Sequence, residues 1–236
     1  ANVPRHICIS RSRRTGTDYR KRLESPADSR LYILSRDTGQ RWKQSFTRSR
    51  HPIATRHSGK HGAPLSTPHE QTARKALSAY DEVYMESSTL RQQGKKVCIV
   101  AEGDAGFYSS IHYVYDKLQA DGIPVKHIPG IPAFIAAGAL GRLHVASQEE
   151  RLTVIPGITT TEEIEKLTSE NSAVVIMKLS RCTDEIHRCI RLHPEYRYHY
   201  FENVGTPEEK YINDSKRIAT IRFPYFSLLI IRTETF

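Results

Sequence analysis

The chain has 236 residues, a net charge of +9 and a mean hydropathy of −0.52. That length fits one large or two small domains and is enough to bury real cores. The longest apolar run, Phe226 to Ile231, is interrupted by Ser227 and is far too short to cross a bilayer as a helix. The Arg-rich first residues carry no apolar stretch of secretory type. Cys8, Cys98, Cys182 and Cys189 follow no framework spacing, so a reducing, cytoplasmic setting is expected.

The positive charge is not spread evenly. Residues 1–75 hold 17 Lys and Arg against 5 Asp and Glu, a net of +12, whereas residues 76–236 hold 18 against 21. The first third is rich in Arg, Ser, Thr, His and Pro. Its apolar clusters are short, Leu31–Leu34 being the main one, and neither helical nor strand periodicity persists. Composition therefore predicts a basic, disordered or non-native segment over 1–72. A nucleic-acid-binding arm is the functional alternative to a solvated tail.

From Thr72 the texture changes. Ala73–Gln93 has helical spacing of apolar residues and stops at Gly94. Val97–Ala101 is a continuous apolar run that suits a parallel strand buried on both faces. A turn containing Gly103 and Asp104 follows, then a helix to Gly122, a strand over Pro124–Ile128, a Pro129–Pro132 turn, and a small-residue helix over Ala133–Gly141. A second block opens near Arg151. It should contain strands over Leu152–Ile155 and Ser172–Met177, a helix over Thr160–Ser169 capped by Thr160 or Thr161, a helix over Thr183–Leu192, and a strand over Tyr198–Glu202. Ile218–Arg222 and Tyr225–Arg232 read as a hairpin broken at Phe223-Pro224. The expectation is a two-domain α/β protein, 73–150 and 151–236, with a mostly parallel sheet first and a mixed unit second.

Three features carry chemistry, each with a plainer alternative. Gly103-Asp104 after a strand allows close backbone approach to a ligand and offers a carboxylate acceptor, or it is an ordinary polar turn. The small residues after Pro129-Gly130-Ile131-Pro132 permit close approach of a ligand or of another element. Cys182, His187, Cys189 and His193 lack the spacing of a zinc finger or ribbon, and no metal is expected. Neither G-x-G-x-x-G nor G-x-x-x-x-G-K-S/T occurs.

The order of motifs is more specific than any one of them: strand–GD–helix, IPGIPAFIAAGA, LTVIPG, VVIMKLS, ENVGTPEE and PYFSLLIIR, with Tyr225-Phe226-Ser227 near the end. From about Thr72 to Arg232 this resembles the tetrapyrrole methylase family, and within it the precorrin-2 C(20)-methyltransferases of cobalamin biosynthesis. The resemblance implies two α/β domains, usually in a dimer, that hold S-adenosyl-L-methionine and methylate carbon 20 of precorrin-2 or cobalt-precorrin-2. By motif, the cofactor would meet Glu102, Gly103, Asp104 and Phe107, then Pro132 and Ala133, Met177, and Gly205 and Thr206. Arg142, His144, Arg151, Lys178 and Arg181, at predicted loop or strand ends, are candidates for the substrate carboxylates or are solvated surface charge. The family's GDP reads Gly103-Asp104-Ala105 here. The alternatives are a methylase of another ring position or a nucleic-acid-binding protein.

The first third departs from that family, which opens with a strand and a G-P-G-D/E-P-E-L-x-T loop. Codons exist for Cys8 to Lys21 whose last two bases, read with the first base of the next codon, spell VSLGPGEPELITV. The same shift turns Ser25–Ser35 into LLQTADCIFCP. Residues up to about Thr72 are therefore expected to be an out-of-frame translation, leaving the fold without its first strand and loop. Codons in the encoding DNA that do not yield GPGEP in the shifted frame would refute this.

Overall fold

Val97 and Ile99 of the first predicted buried strand lie in a core with Val83, Leu90, Val114 and Leu118, so the continuous apolar run does mark a strand covered by helices. A computed structural model describes residues 7–9, 29–34, 41–45, 69–101 and 103–233, the first three stretches as backbone only. Their strands are β1 (Ile7–Ile9), β2 (Ser29–Leu34), β3 (Arg41–Ser45), β4 (Lys96–Val100) and β5 (Val125–His127). They form one sheet in the order β3-β2-β4-β1-β5. Every pairing is parallel except β2 with β3.

Two helices cover this sheet, α1 (His69–Gln92) and α2 (His112–Ala120). Both predicted glycine stops are realised. After α1, Gly94 N–H donates to Arg91 O and Lys95 N–H to Leu90 O; after α2, Gly122 N–H donates to Gln119 O and Ile123 N–H to Leu118 O. This paired bonding satisfies carbonyls that a helix end leaves open. Tyr84 donates to Asp121 and Lys117 pairs with Asp81, tying the two helices together.

The expectation of a missing first strand is corrected. Ile7–Ile9 pairs with β4 on one side, Cys8 opposite Cys98, and with β5 on the other, Cys8 opposite Lys126. The physical reason is that β4 and β5 each present an unpaired edge toward the same slot. A short Ile-Cys-Ile segment has the strand preference to fill it. The Leu31–Leu34 cluster likewise lies in a strand, β2, parallel to β4. Within 1–72, Arg41–Ser45 also forms a strand, β3, and residues from His69 onward belong to a helix; the remainder, including the loop after the first strand, falls outside the described residues.

The second sheet comprises β6 (Arg151–Ile155), β7 (Ser172–Met177), β8 (Arg197–Glu202), β9 (Lys210–Ile212) and β10 (Ser227–Arg232), in the order β6-β7-β10-β8-β9. Residues 227–232 form no hairpin with 218–222. β10 runs antiparallel between β7 and β8, while Ile218 closes a short helix, α6 (Ser215–Ile218). Leu-Leu-Ile-Ile, buried on both faces, is the composition of a central strand.

One face of this sheet packs on α4 (Thr161–Ser169) and α5 (Thr183–Leu192) through Ile164, Ile186, Cys189 and Ile190 against Val174, Ile176, Tyr198, Tyr200, Leu229 and Ile231. Thr160 is the cap of α4, accepting from Glu163 N–H at 3.2 Å. The other face meets α3 (Ala133–Gly141), where a Cβ at Gly141 would stand 2.9 Å from the Phe201 ring. The small-residue run thus permits close packing on β8. Arg142 takes the left-handed position that ends α3 (φ 54°).

By internal packing the chain divides into two units, 1–130 and 131–236. The division falls before α3, whereas the sequence pattern places it at 150/151. Among the described residues no helix is long and apolar enough to cross a membrane.

Candidate functional site

In the first unit the candidate residues sit where β4 ends. Asp104 Oδ1 accepts from Gly106 N–H at 2.8 Å, and Oδ2 accepts from Gly130 N–H. The carboxylate therefore staples the loop after β4 to the turn after β5, two loops that flank the end of β1 in the sheet order. Each oxygen keeps a further lone-pair direction. Gly103, at φ 76°, presents bare backbone beside it. Phe107 is half-buried and packs edge-on against Tyr108, with ring centroids 4.7 Å apart. Glu102 lies outside the described residues.

In the second unit, Met177, Gly205 and Thr206 come to one end of the sheet. Met177 ends β7 opposite Leu228, and Lys178 N–H donates to Ser227 O at 3.0 Å. Across β10, Asn203 N–H donates to Phe226 O at 2.9 Å. The turn after β8 is internally bonded: Thr206 Oγ1 donates to Asn203 O at 2.8 Å and Gly205 N–H donates to Glu209 Oε2 at 2.9 Å. Lys178 (φ 58°) and Asn203 (φ 50°) both adopt left-handed backbone immediately after their strands, and such conformations gather at functional sites. Pro132 and Ala133 form the start of α3, where a helix leaves backbone N–H groups without intrahelical partners.

The five candidate basic residues do not form one cluster. Lys178 and Arg181 follow β7 at the end that carries Met177. Arg151 opens β6 at the opposite end. His144 belongs to that opposite end too: its carbonyl accepts from Arg232 Nη1 at 3.1 Å, while Arg232 also pairs with Glu150 and donates to Ser147. Arg142 is exposed at the close of α3.

Cys182 and Cys189 are buried, and burial raises both thiols, Cys182 to about 11. They are inert core groups rather than nucleophiles. His187 bonds to Ile221 O, and His193 bonds to Glu165 and Glu195. Among the described residues no group of three or more His, Cys, Asp or Glu is arranged to hold a metal.

Two residues beside the candidate positions escaped sequence reasoning. Asn203, next to the Val-Gly turn, carries a detectable signal because Asn tolerates left-handed backbone. His127 carries none: its ring lies against Gly106, where a Cβ would stand 2.9 Å from Cε1, and only the packing of two loops reveals it.

A family model for tetrapyrrole (corrin/porphyrin) methylases matches residues 43–218, well over half of the chain. A "Precorrin-2 C(20)-methyltransferase" of Sinorhizobium sp is 29% identical over 138 residues, covering 58% of this chain and 56% of that protein. A "Probable cobalt-precorrin-2 C(20)-methyltransferase" of Methanocaldococcus jannaschii is 26% identical over 113 residues, 48% of this chain and 47% of that protein. The chain spans about half the length of these curated relatives that it matches. Among solved structures, the native form of uroporphyrin III C-methyltransferase from Thermus thermophilus aligns over 96% of this chain and 92% of its own, with a TM-score of 0.57 at 13% identity. That likeness is one of fold.

Proposed function

This chain belongs to the tetrapyrrole (corrin/porphyrin) methylase family, and we propose on that footing that it is a C-methyltransferase of cobalamin biosynthesis that uses S-adenosyl-L-methionine. The finer proposal is methylation of carbon 20 of precorrin-2 or its cobalt form, supported by the precorrin-2 C(20)-methyltransferase relatives. The single structural observation that carries the reading is the Asp104 staple, which presets two loops and bare backbone at the carboxyl ends of parallel strands. Open α/β sheets bind small ligands at that edge.

The residues fit the cofactor's chemistry. Within the first unit the proposed contacts are Gly103, Asp104 and Phe107, which supply bare backbone, a carboxylate acceptor and an aromatic face. Within the second unit they are Pro132, Ala133, Met177, Gly205 and Thr206, which supply backbone at Gly205 and the half-buried apolar Met177. When bound, the sulfonium supplies a methyl already electrophilic. The chain then needs no covalent nucleophile, consistent with its two buried, high-pKa thiols among the described residues. Its own work is positioning: Asp104 fixes the loops, and alignment of the reacting carbon in line with the methyl supplies the acceleration.

The test is a mass-resolved assay of the full chain with S-adenosyl-L-methionine and precorrin-2 generated in situ. The proposal expects one added methyl group on the tetrapyrrole and its loss in Asp104→Ala. An unmodified tetrapyrrole alongside intact cofactor would refute it.

A further inference from the structure

His127 closes β5 opposite Ile9, the last residue of β1, and so stands at the carboxyl edge of the parallel strands in the first unit. Its side chain is exposed, and among the described residues neither ring nitrogen has a hydrogen-bond partner. The ring nevertheless has a defined seat. Its Cε1 edge lies over Gly106, where a Cβ would stand 2.9 Å from Cε1 and 3.8 Å from Nδ1. Carbon atoms pack at about 3.5–4.0 Å, so a side chain at residue 106 would push the ring away. Gly106 does not take positive φ. The turn itself therefore does not call for glycine; the room taken by the imidazole does.

The seat adjoins the Asp104 staple. The same Cβ at residue 106 would stand 3.2 Å from Asp104 Oδ1, so imidazole and carboxylate border one small space beside the Gly106 backbone. Asp104 bonds the N–H groups of Gly106 and Gly130, and Gly130 follows His127 by three residues. Ring and carboxylate are thus fastened into the same two loops. Of the two ring nitrogens, Nε2 is the one farther from the Gly106 Cβ direction.

We infer that His127 is a further cofactor-binding side chain, seated by Gly106 beside Asp104 so that Nε2 bonds a polar group of bound S-adenosyl-L-methionine. This rests on the methyltransferase reading and deepens it. The cofactor carries donors, its ribose hydroxyls and ammonium, and acceptors, its carboxylate and adenine nitrogens. An ionised Asp104 serves donors only, whereas an imidazole N–H serves acceptors. The pair therefore covers both kinds of group from one loop junction. An unpartnered nitrogen at a strand end is available for this work, while a ring left free to swing would have no use for a glycine beneath it.

The test is calorimetric titration of the full chain with S-adenosyl-L-homocysteine, with the urea midpoint measured on each variant. His127→Phe keeps a ring over Gly106 and removes both nitrogens. It is expected to weaken binding about three- to tenfold, the worth of one hydrogen bond, with the urea midpoint unchanged. His127→Gln, whose side-chain amide lies as many bonds from Cβ as Nε2 does, should recover part of that loss. Lys126→Gln, the preceding residue, whose side chain leaves the other face of β5, should bind like the parent. Equal affinity in His127→Phe and the parent would overturn the inference while leaving the cofactor reading intact. So would weaker binding by His127→Gln than by His127→Phe, which would assign the ring to packing alone. Failure of the parent to bind would overturn the inference and the methyltransferase reading together.

Discussion

The two units build five-stranded sheets in different ways. In the second, β7 and β10 are central, and five consecutive residues of each are buried, Ser172–Ile176 and Ser227–Ile231. Burial on both faces holds that sheet, and each such aliphatic side chain contributes about 1.5–3 kcal/mol relative to exposure. In the first unit a three-residue strand, β1, occupies the slot between β4 and β5, and β5 is only three residues long with two of them exposed. There the backbone ladder, rather than a long apolar strand, joins β5 to the rest. A long buried strand therefore declares itself in sequence, whereas a short strand held by its neighbours does not.

Substitutions can break this comparison. Leu229→Ala, at a fully buried central position, should cost about 2–5 kcal/mol in urea unfolding followed by circular dichroism. A loss below about 1 kcal/mol would mean that β10 is not the keystone. Cys8→Pro removes a ladder N–H from a strand paired on both sides and leaves its carbonyl partner unsatisfied, which should cost about 1–3 kcal/mol. An unchanged urea midpoint would show that β1 does not hold the first sheet together.

A smaller effect sharpens the account of the second unit. His193 links α4, the end of α5 and the approach to β8 through Glu165 and Glu195, and it stacks on Tyr196. The hydrogen bond to Glu165, and after it that to Glu195, raises the imidazole pKa above its ordinary value, with burial opposing. A raised folded-state pKa makes the contribution full below the unfolded value of about 6.5 and lost as pH rises through the folded one. The parent should thus lose stability relative to His193→Gln between pH 5.5 and 8.5. The difference should stay under about 1 kcal/mol because the group is partly exposed. A gap that widens toward high pH would contradict the assignment.

Legibility followed the same physics. The bounds of α3, β7 and α5 could be read directly, because their apolar runs and flanking turn residues agree. Thr160 was one of two possible caps, and only the bond to Glu163 decided it. The 218–232 region misled because Phe223-Pro224 resembles a hairpin break, while the true partners of β10 lie 25 to 57 residues upstream, from Ser227 opposite Glu202 to Ile231 opposite Val174. Pairing at that range leaves no local mark. The motifs brought Gly103, Asp104, Met177, Gly205 and Thr206 into view. That Lys178 and Arg181 share a sheet end with Met177, while Arg151 does not, depends on strand direction, which composition does not carry.

The most direct test of the central claim is calorimetric titration of the full chain with S-adenosyl-L-homocysteine, run on the parent and on Asp104→Ala. The account predicts micromolar binding in the parent and about tenfold or greater weakening in the variant, because two charge-assisted backbone bonds that preset the loops are lost. No binding by the parent at millimolar ligand, or equal affinity in the two proteins, would contradict it.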